Sequence, residues 1–146
     1  MFHIPLQFCK IKYKSNNLTN INDTKKNFKI LLDFTGNIEY IHISMMTITT
    51  NKNLVNGTTL QGYLQATYDT IVKILGEPTC GPSGDNKTTC GWILKNEDGN
   101  VATLYDWKTK TTPLSPYNWH IGGVDDSAVL GVQELFPEHK TTIFKF

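Results

Sequence analysis

The chain has 146 residues, a net charge of +1, and 39% hydrophobic with 11% aromatic residues, a size and apolar content that suit one compact domain with a real core. Near-neutral charge removes the global electrostatic case for nucleic acid or an anionic membrane, because both draw on a concentrated basic surface. No run approaches the roughly 18 apolar residues of a membrane-crossing helix, and Met1-Phe2-His3-Ile4-Pro5 is not a basic segment followed by an apolar stretch. The expectation is an intracellular protein with no membrane partner.

The first part of the chain is strand-prone and then polar. Ile4, Leu6 and Phe8 alternate, as do Ile11 and Tyr13, before an Asn/Lys/Thr-rich run from Lys14 to Asn27 that reads as a loop or linker. Phe28 to Phe34 and Ile38 to Ser44 flank Thr35-Gly36-Asn37, whose Gly and Asn tolerate the positive φ of a tight turn, so a hairpin is predicted. A second polar stretch, Thr49 to Asn56, precedes the next periodic element. These breaks divide the chain into residues 1–45, an N-terminal β extension that is a candidate for mobility, and residues 46–146, a compact α+β domain.

Thr58-Thr59-Leu60-Gln61 fits a capping box. Leu60, Leu64, Tyr68, Ile71 and Leu75 follow at helical spacing, opposite Gln61, Gln65, Asp69 and Lys73, and Gly76-Glu77-Pro78 stops the pattern. A helix over 58–75 is predicted. Thr79 to Asn86 is a loop by composition. Lys87 to Lys95 and Val101 to Lys108 then read as a hairpin, with Cys90, Trp92 and Leu94 on one face of the first strand, Val101, Thr103, Tyr105 and Trp107 alternating on its partner, and Asp98-Gly99 in the connection. After a Pro-containing loop, Tyr117 to Ile121 is a third strand ended by Gly122-Gly123. Asp125 and Asp126 cap a helix from Ser127 to Phe136, and Thr141 to Phe146 can add an edge strand. The fold class expected is α+β: a short antiparallel sheet, hairpin plus third strand, with both helices on one face.

The ordered set Leu60-Gln61-Gly62-Tyr63-Leu64, Leu75-Gly76-Glu77-Pro78, Lys87, Trp92, Asp98-Gly99, Ala102-Thr103-Leu104-Tyr105-Asp106-Trp107-Lys108 and Trp119-His120-Ile121-Gly122-Gly123 resembles a small domain found in phages and large DNA viruses. The resemblance spans about Met46 to Phe136. It implies a viral source and a helix, three-strand, helix unit, and it brings no catalytic residues with it. A viral protein of this kind is expected in the host cell cytoplasm or associated with the virion.

Cysteine chemistry adds little. Cys9, Cys80 and Cys90 are an odd number, so reduced thiols are expected; with His120 the last two form an incomplete zinc set, and neither metal nor cofactor is expected. The N-x-S/T sequons at Asn17, Asn22, Asn56 and Asn86 follow from an Asn- and Thr-rich composition. Gly81 to Thr88 reads G-x-x-x-x-N-K-T, close to a phosphate-binding loop, but a strand rather than a helix should follow it, so it is taken as an exposed loop.

Two stretches carry the candidate site. In Tyr105-Asp106-Trp107-Lys108, alternation puts the aromatics on one face and the charges on the other. The aromatics are read as core and Asp106 with Lys108 as a solvated face, against the alternative of an aromatic platform beside a charged pair. In Trp119-His120-Ile121-Gly122-Gly123, the glycines either open backbone N–H groups to an anion at the following helix or serve φ/ψ needs alone, and His120 is read as satisfied by a neighbour. The ligand-binding candidates are Lys87, Tyr105, Lys108, Trp119, His120, Gly122 and Gly123, with no catalytic set. Two functions are expected to compete: a non-enzymatic viral protein that binds a small anionic, nucleotide-like ligand such as a host immune signal, and a protein-interaction or virion-associated module with a host protein as partner. The aromatic load on few strands predicts a homo-oligomer.

Overall fold

The computed structural model describes residues 28–32, 38–42 and 45–145. The chain falls into two units, Met1–Ser44 and Met45–Phe146. In the first, β1 (Phe28–Leu32) pairs antiparallel with β2 (Ile38–His42), Ile30 opposite Tyr40, as the alternation of that segment predicts. The Thr35-Gly36-Asn37 turn, the strand expected from Ile4 to Tyr13 and the Lys14 to Asn27 run lie outside the described residues.

The second unit is a six-stranded antiparallel sheet, which corrects the expected short three-stranded one. Its strands are β3 (Thr47–Thr49), β4 (Thr59–Ala66), β5 (Gly91–Lys95), β6 (Val101–Tyr105), β7 (Tyr117–Gly123) and β8 (Thr141–Ile143), in the order β3-β5-β6-β7-β4-β8. Two helices, α1 (Tyr68–Leu75) and α2 (Ser127–Leu135), pack on one face.

The largest correction falls on 58–75. Leu60, Leu64 and Tyr68 satisfy a helical period, yet Gly62, Leu64 and Ala66 also alternate with Gln61, Tyr63 and Gln65, and the strand reading wins because β7 and β8 pair with this segment on both sides. A Cβ at Gly62 would collide with the Thr142 carbonyl and the Val129 side chain, so the glycine marks a close backbone approach that a helix does not need. The register shifts between Leu60 and Gly62, a bulge that lets the strand bend. The helix begins only at Tyr68, capped by Thr67, whose hydroxyl accepts from the Thr70 N–H at 3.2 Å.

The core lies between the helices and one sheet face. Leu64, Trp92, Leu94, Leu104, Trp119 and Ile121 from the sheet meet Ile71 of α1 and Val129 and Val132 of α2. Trp92 and Trp119 stand edge to face with centroids 5.6 Å apart. Each indole N–H is satisfied inside the core, by the Gly76 carbonyl at 2.9 Å and the Ala66 carbonyl at 3.1 Å. Met46, 3% exposed, joins this core, and its side chain lies where a Cβ on Gly131 would sit.

The hairpin is present, but its faces are reversed for the second strand. Trp92 pairs with Leu104 and Leu94 with Ala102, so the even-numbered residues of β6 face the helices while Thr103 and Tyr105 face outward. Continuing that alternation, Asp106 is fully buried and Trp107 is 40% exposed, the opposite of the expected core Trp107 beside a solvated Asp106. A short 3-10 turn, Lys52–Val55, packs on the outer side of β5 and β6. Among the described residues no helix is long and apolar enough to cross a membrane.

Candidate functional site

The outer sheet face carries a row of rings. The register sets Tyr63 of β4 and Tyr105 of β6 directly across from His120 of β7. Their centroids lie 5.0 and 5.4 Å from the imidazole. Phe144 extends the row past Tyr63 at 6.3 Å, and Trp107 extends it past Tyr105 and His120, also at 6.3 Å. Such distances and tilted or edge-on angles are those of mutually supporting aromatic contacts.

At the Trp107 end two ammonium groups stand over one indole: Lys87 Nζ at 5.8 Å and Lys108 Nζ at 5.7 Å from the ring centre. The backbone builds this pair. Lys108 takes a positive φ of 53°, and its N–H donates to the Lys87 carbonyl at 2.6 Å. The Tyr117 hydroxyl accepts from the Trp107 N–H at 3.2 Å. Lys87 also pairs with Asp85 at 2.9 Å, both side chains about half exposed. The Lys87 contact, with the Ser83 hydroxyl, holds the Asp85 carboxyl at about 2.

Beneath this corner Asp106 is an anchor. Its carboxylate accepts from the Thr89 N–H at 2.7 Å, the Thr89 hydroxyl at 2.6 Å, the Thr109 hydroxyl at 2.6 Å and the Cys90 N–H at 3.3 Å. Burial alone pushes the carboxyl up, but the four hydrogen bonds outweigh it and hold the group below its ordinary range. The charge is thus satisfied by dipoles, and the segments at Thr89 and Thr109 that bracket the two lysines are tied to one point. His120 is different. Burial draws its imidazole below the ordinary value, with the Asp106 charge opposing, so it is neutral at pH 7. Its buried Nδ1 has no hydrogen-bond partner among the described residues, which corrects the expectation of a satisfied histidine.

Beside Trp107 the outer face is hollowed into a pocket of about 280 Å³. Val55 of the 3-10 turn and Thr58, just before β4, line it with Thr88, Ile93, Thr103 and Tyr105.

The structure brings Lys87, Tyr105, Lys108 and His120 together around Trp107. Trp119 points the other way and is fully buried in the core. Gly122 and Gly123 are not a turn: both lie within β7, opposite Thr103 and Ala102. A Cβ on Gly122 would strike the Thr103 hydroxyl, and one on Gly123 would strike Ala128 of α2, so both serve close packing rather than anion capture. The start of α2 carries Asp125 and Asp126, which oppose an anion there. Tyr63, Thr103 and Trp107 complete the surface. Reading Thr59–Ala66 as a strand is the signal that would have exposed Tyr63, and the parity of β6 the one for Thr103 and Trp107. No group of three or more His, Cys, Asp or Glu residues among the described ones could hold a metal ion.

Comparison with protein-family models, with curated proteins and with solved structures gives no match.

Proposed function

We propose that this chain is a binding protein for a small anionic ligand that carries a flat aromatic group, of the nucleotide class, taken up on the outer face of the sheet. The observation that carries the reading is Trp107, 40% exposed, with Lys87 and Lys108 both within 6 Å of its ring beside an open pocket. Stacking of a base on an exposed aromatic contributes about 1–3 kcal/mol, and lysine ammonium groups are point charges suited to phosphate oxygens. Binding without turnover is supported by the state of the neighbouring groups. Asp106 is occupied by four hydrogen bonds, and among the described residues the buried Nδ1 of His120 has no hydrogen-bond partner that would orient the ring for proton transfer. The motif order resembles that of a phage and large-virus domain, and in a viral setting such a protein would act by sequestering a host nucleotide signal.

Fluorescence tests this directly, because Trp92 and Trp119 are 1% and 0% exposed and Trp107 is the accessible indole. Nucleotides should quench the wild type saturably, Trp107→Phe should abolish the response, and Lys87→Ala with Lys108→Ala should weaken it in a salt-dependent way. If millimolar nucleotides leave the emission unchanged, the small-ligand reading fails. Trp107 then stands as an anchor for a protein partner, the residue type most often found at interface hot spots.

A further inference from the structure

Between β6 and β7 the chain leaves the sheet in a loop that plays no part in nucleotide binding. Lys110-Thr111-Thr112-Pro113-Leu114-Ser115-Pro116 spaces a lysine and two prolines three residues apart. Three residues make one turn of a polyproline II helix, so in that conformation Lys110, Pro113 and Pro116 stand on one edge. Each proline fixes its own φ near the polyproline value and keeps the residue before it, Thr112 or Ser115, out of the helical region. The stretch is turned outward. Lys110, Thr111, Leu114, Ser115 and Pro116 are exposed, Leu114 at 70%. Among the described residues no hydrogen bond uses the backbone from Thr112 to Pro116, so its carbonyls are open to donors on a partner.

We propose that this loop is a docking site for a partner domain of the SH3 kind, which reads polyproline II in an aromatic-lined groove. Pro113 and Pro116 enter the groove, and Lys110, which has no ion pair among the described residues, meets an acidic rim beside it. The charge is needed because a polyproline ridge looks much alike from either end, and a cation at one end sets the direction in which the chain lies. The base of the loop is fixed. The Tyr117 hydroxyl accepts from the Trp107 N–H at 3.2 Å, and the Thr112 and Thr89 hydroxyls are hydrogen-bonded at 2.7 Å. The free loop is not yet straight: it bends at Ser115 and Pro116, and Lys110 sits at φ 64° in a three-residue turn closed by the Thr111 N–H and the Thr109 carbonyl at 2.7 Å. A turn with that sign of φ is the rare, strained form. Opening it gives up one hydrogen bond and releases the strain, and the remainder of the stretch has no backbone bond to lose.

The test is titration of the full chain against an array of purified SH3 domains whose grooves do and do not carry an acidic rim. At least one acidic-rimmed domain should bind saturably, and more tightly than any domain without the rim. Pro113→Ala and Pro116→Ala should each weaken that pair about 10- to 30-fold, the loss that marks an anchoring interface residue. Lys110→Glu should remove the preference for the acidic rim. Pro116 and Lys110 are exposed, so their variants should melt with the wild type, which separates lost docking from lost folding. Absence of saturable binding to every domain in the array overturns the proposal. So does binding that Pro116→Ala and Lys110→Glu both leave at wild-type strength.

Discussion

Asp106 and Thr89 are joined twice, through the threonine N–H at 2.7 Å and its hydroxyl at 2.6 Å. One buried carboxylate thereby closes the entry to β5 against the exit of β6, and the loop that bears Lys87 is held against the one that bears Lys108. Asp106→Asn keeps the shape but removes the charge, and its NH₂ group must either face the Thr89 and Cys90 N–H groups, which only donate, or turn the Thr89 and Thr109 hydroxyls from donors into acceptors. It should cost about 1.5–3 kcal/mol, the range for losing a hydrogen bond to a charged group, and urea unfolding would measure it. Because the same anchor sets both lysines, nucleotide affinity should fall as well.

The anchor also gives a pH dependence of fixed sign. The Asp106 carboxyl sits below its ordinary value of 3.8 in the folded chain, so the folded state holds the proton less tightly than the unfolded one. Its contribution is complete above the unfolded value and is lost as pH falls through the folded one. Thermal melts from pH 7 downward should therefore show the gap between wild type and Asp106→Asn steady to about pH 4.5 and narrowing below 3.8. A gap that widens in acid would show that the carboxylate is not the stabilising form.

The buried Trp92 and the exposed Trp107 separate cleanly by substitution. Trp92, 1% exposed with its indole N–H bonded inside the core, should cost about 3–5 kcal/mol on change to alanine. Trp107, 40% exposed, should cost no more than about 1 kcal/mol. The sequence reading of β6 puts Trp107 in the core, where its change to alanine would cost about 3–5 kcal/mol. It failed because Val101, Ala102, Thr103, Leu104 and Tyr105 offer apolar groups on both parities, and the pairing of Leu104 with Trp92, which is a tertiary fact, chooses between them.

The same physics sets how much of the rest was legible. Local signals sufficed where they agreed: the Asp98-Gly99 connection, the stop at Gly76-Glu77-Pro78, and the helix opened at Asp125-Asp126. They misled at Thr59–Ala66, where a helical and a strand period overlap and only the flanking β7 and β8 decide. Lys87, Tyr105, Lys108 and His120 were legible as residue types suited to an anion or a ring. Their convergence on Trp107 was not, since it depends on a positive φ at Lys108 and on the cross-strand register of His120.

Gly62 offers a test of the corrected strand. A Cβ there meets the Thr142 carbonyl and the Val129 side chain, whereas one on Gly84, in the loop before Lys87, meets nothing within 4 Å. Gly62→Ala should destabilise by about 1–3 kcal/mol, the cost of overpacking, and loosen β8, visible as faster amide exchange at Thr141–Ile143. Gly84→Ala should stay within about 0.5 kcal/mol of wild type. Were position 62 on an exposed helix, alanine would instead stabilise by roughly 1 kcal/mol, so the sign alone discriminates.

The placement of β3 fixes where the second unit can be cut. All six strands of its sheet come from Thr47 onward, and the Met46 side chain is buried beside α2. A chain beginning at Met45 keeps every one of these contacts and should unfold cooperatively. One beginning at Thr58, where the main periodic pattern starts in the sequence, loses three things at once. Met46 leaves a void against Gly131, β5 becomes an edge with unpaired backbone groups from Ile93 to Lys95, and the wall formed by Val55 is stripped from Ile93, which is 1% exposed in the intact unit. The buried methionine alone is worth about 2–5 kcal/mol, a large part of the stability of a domain this size. The shorter chain should therefore melt well below the longer one and self-associate through the bared edge. Matching melting curves for the two would show that β3 and the 3-10 turn contribute nothing to the sheet.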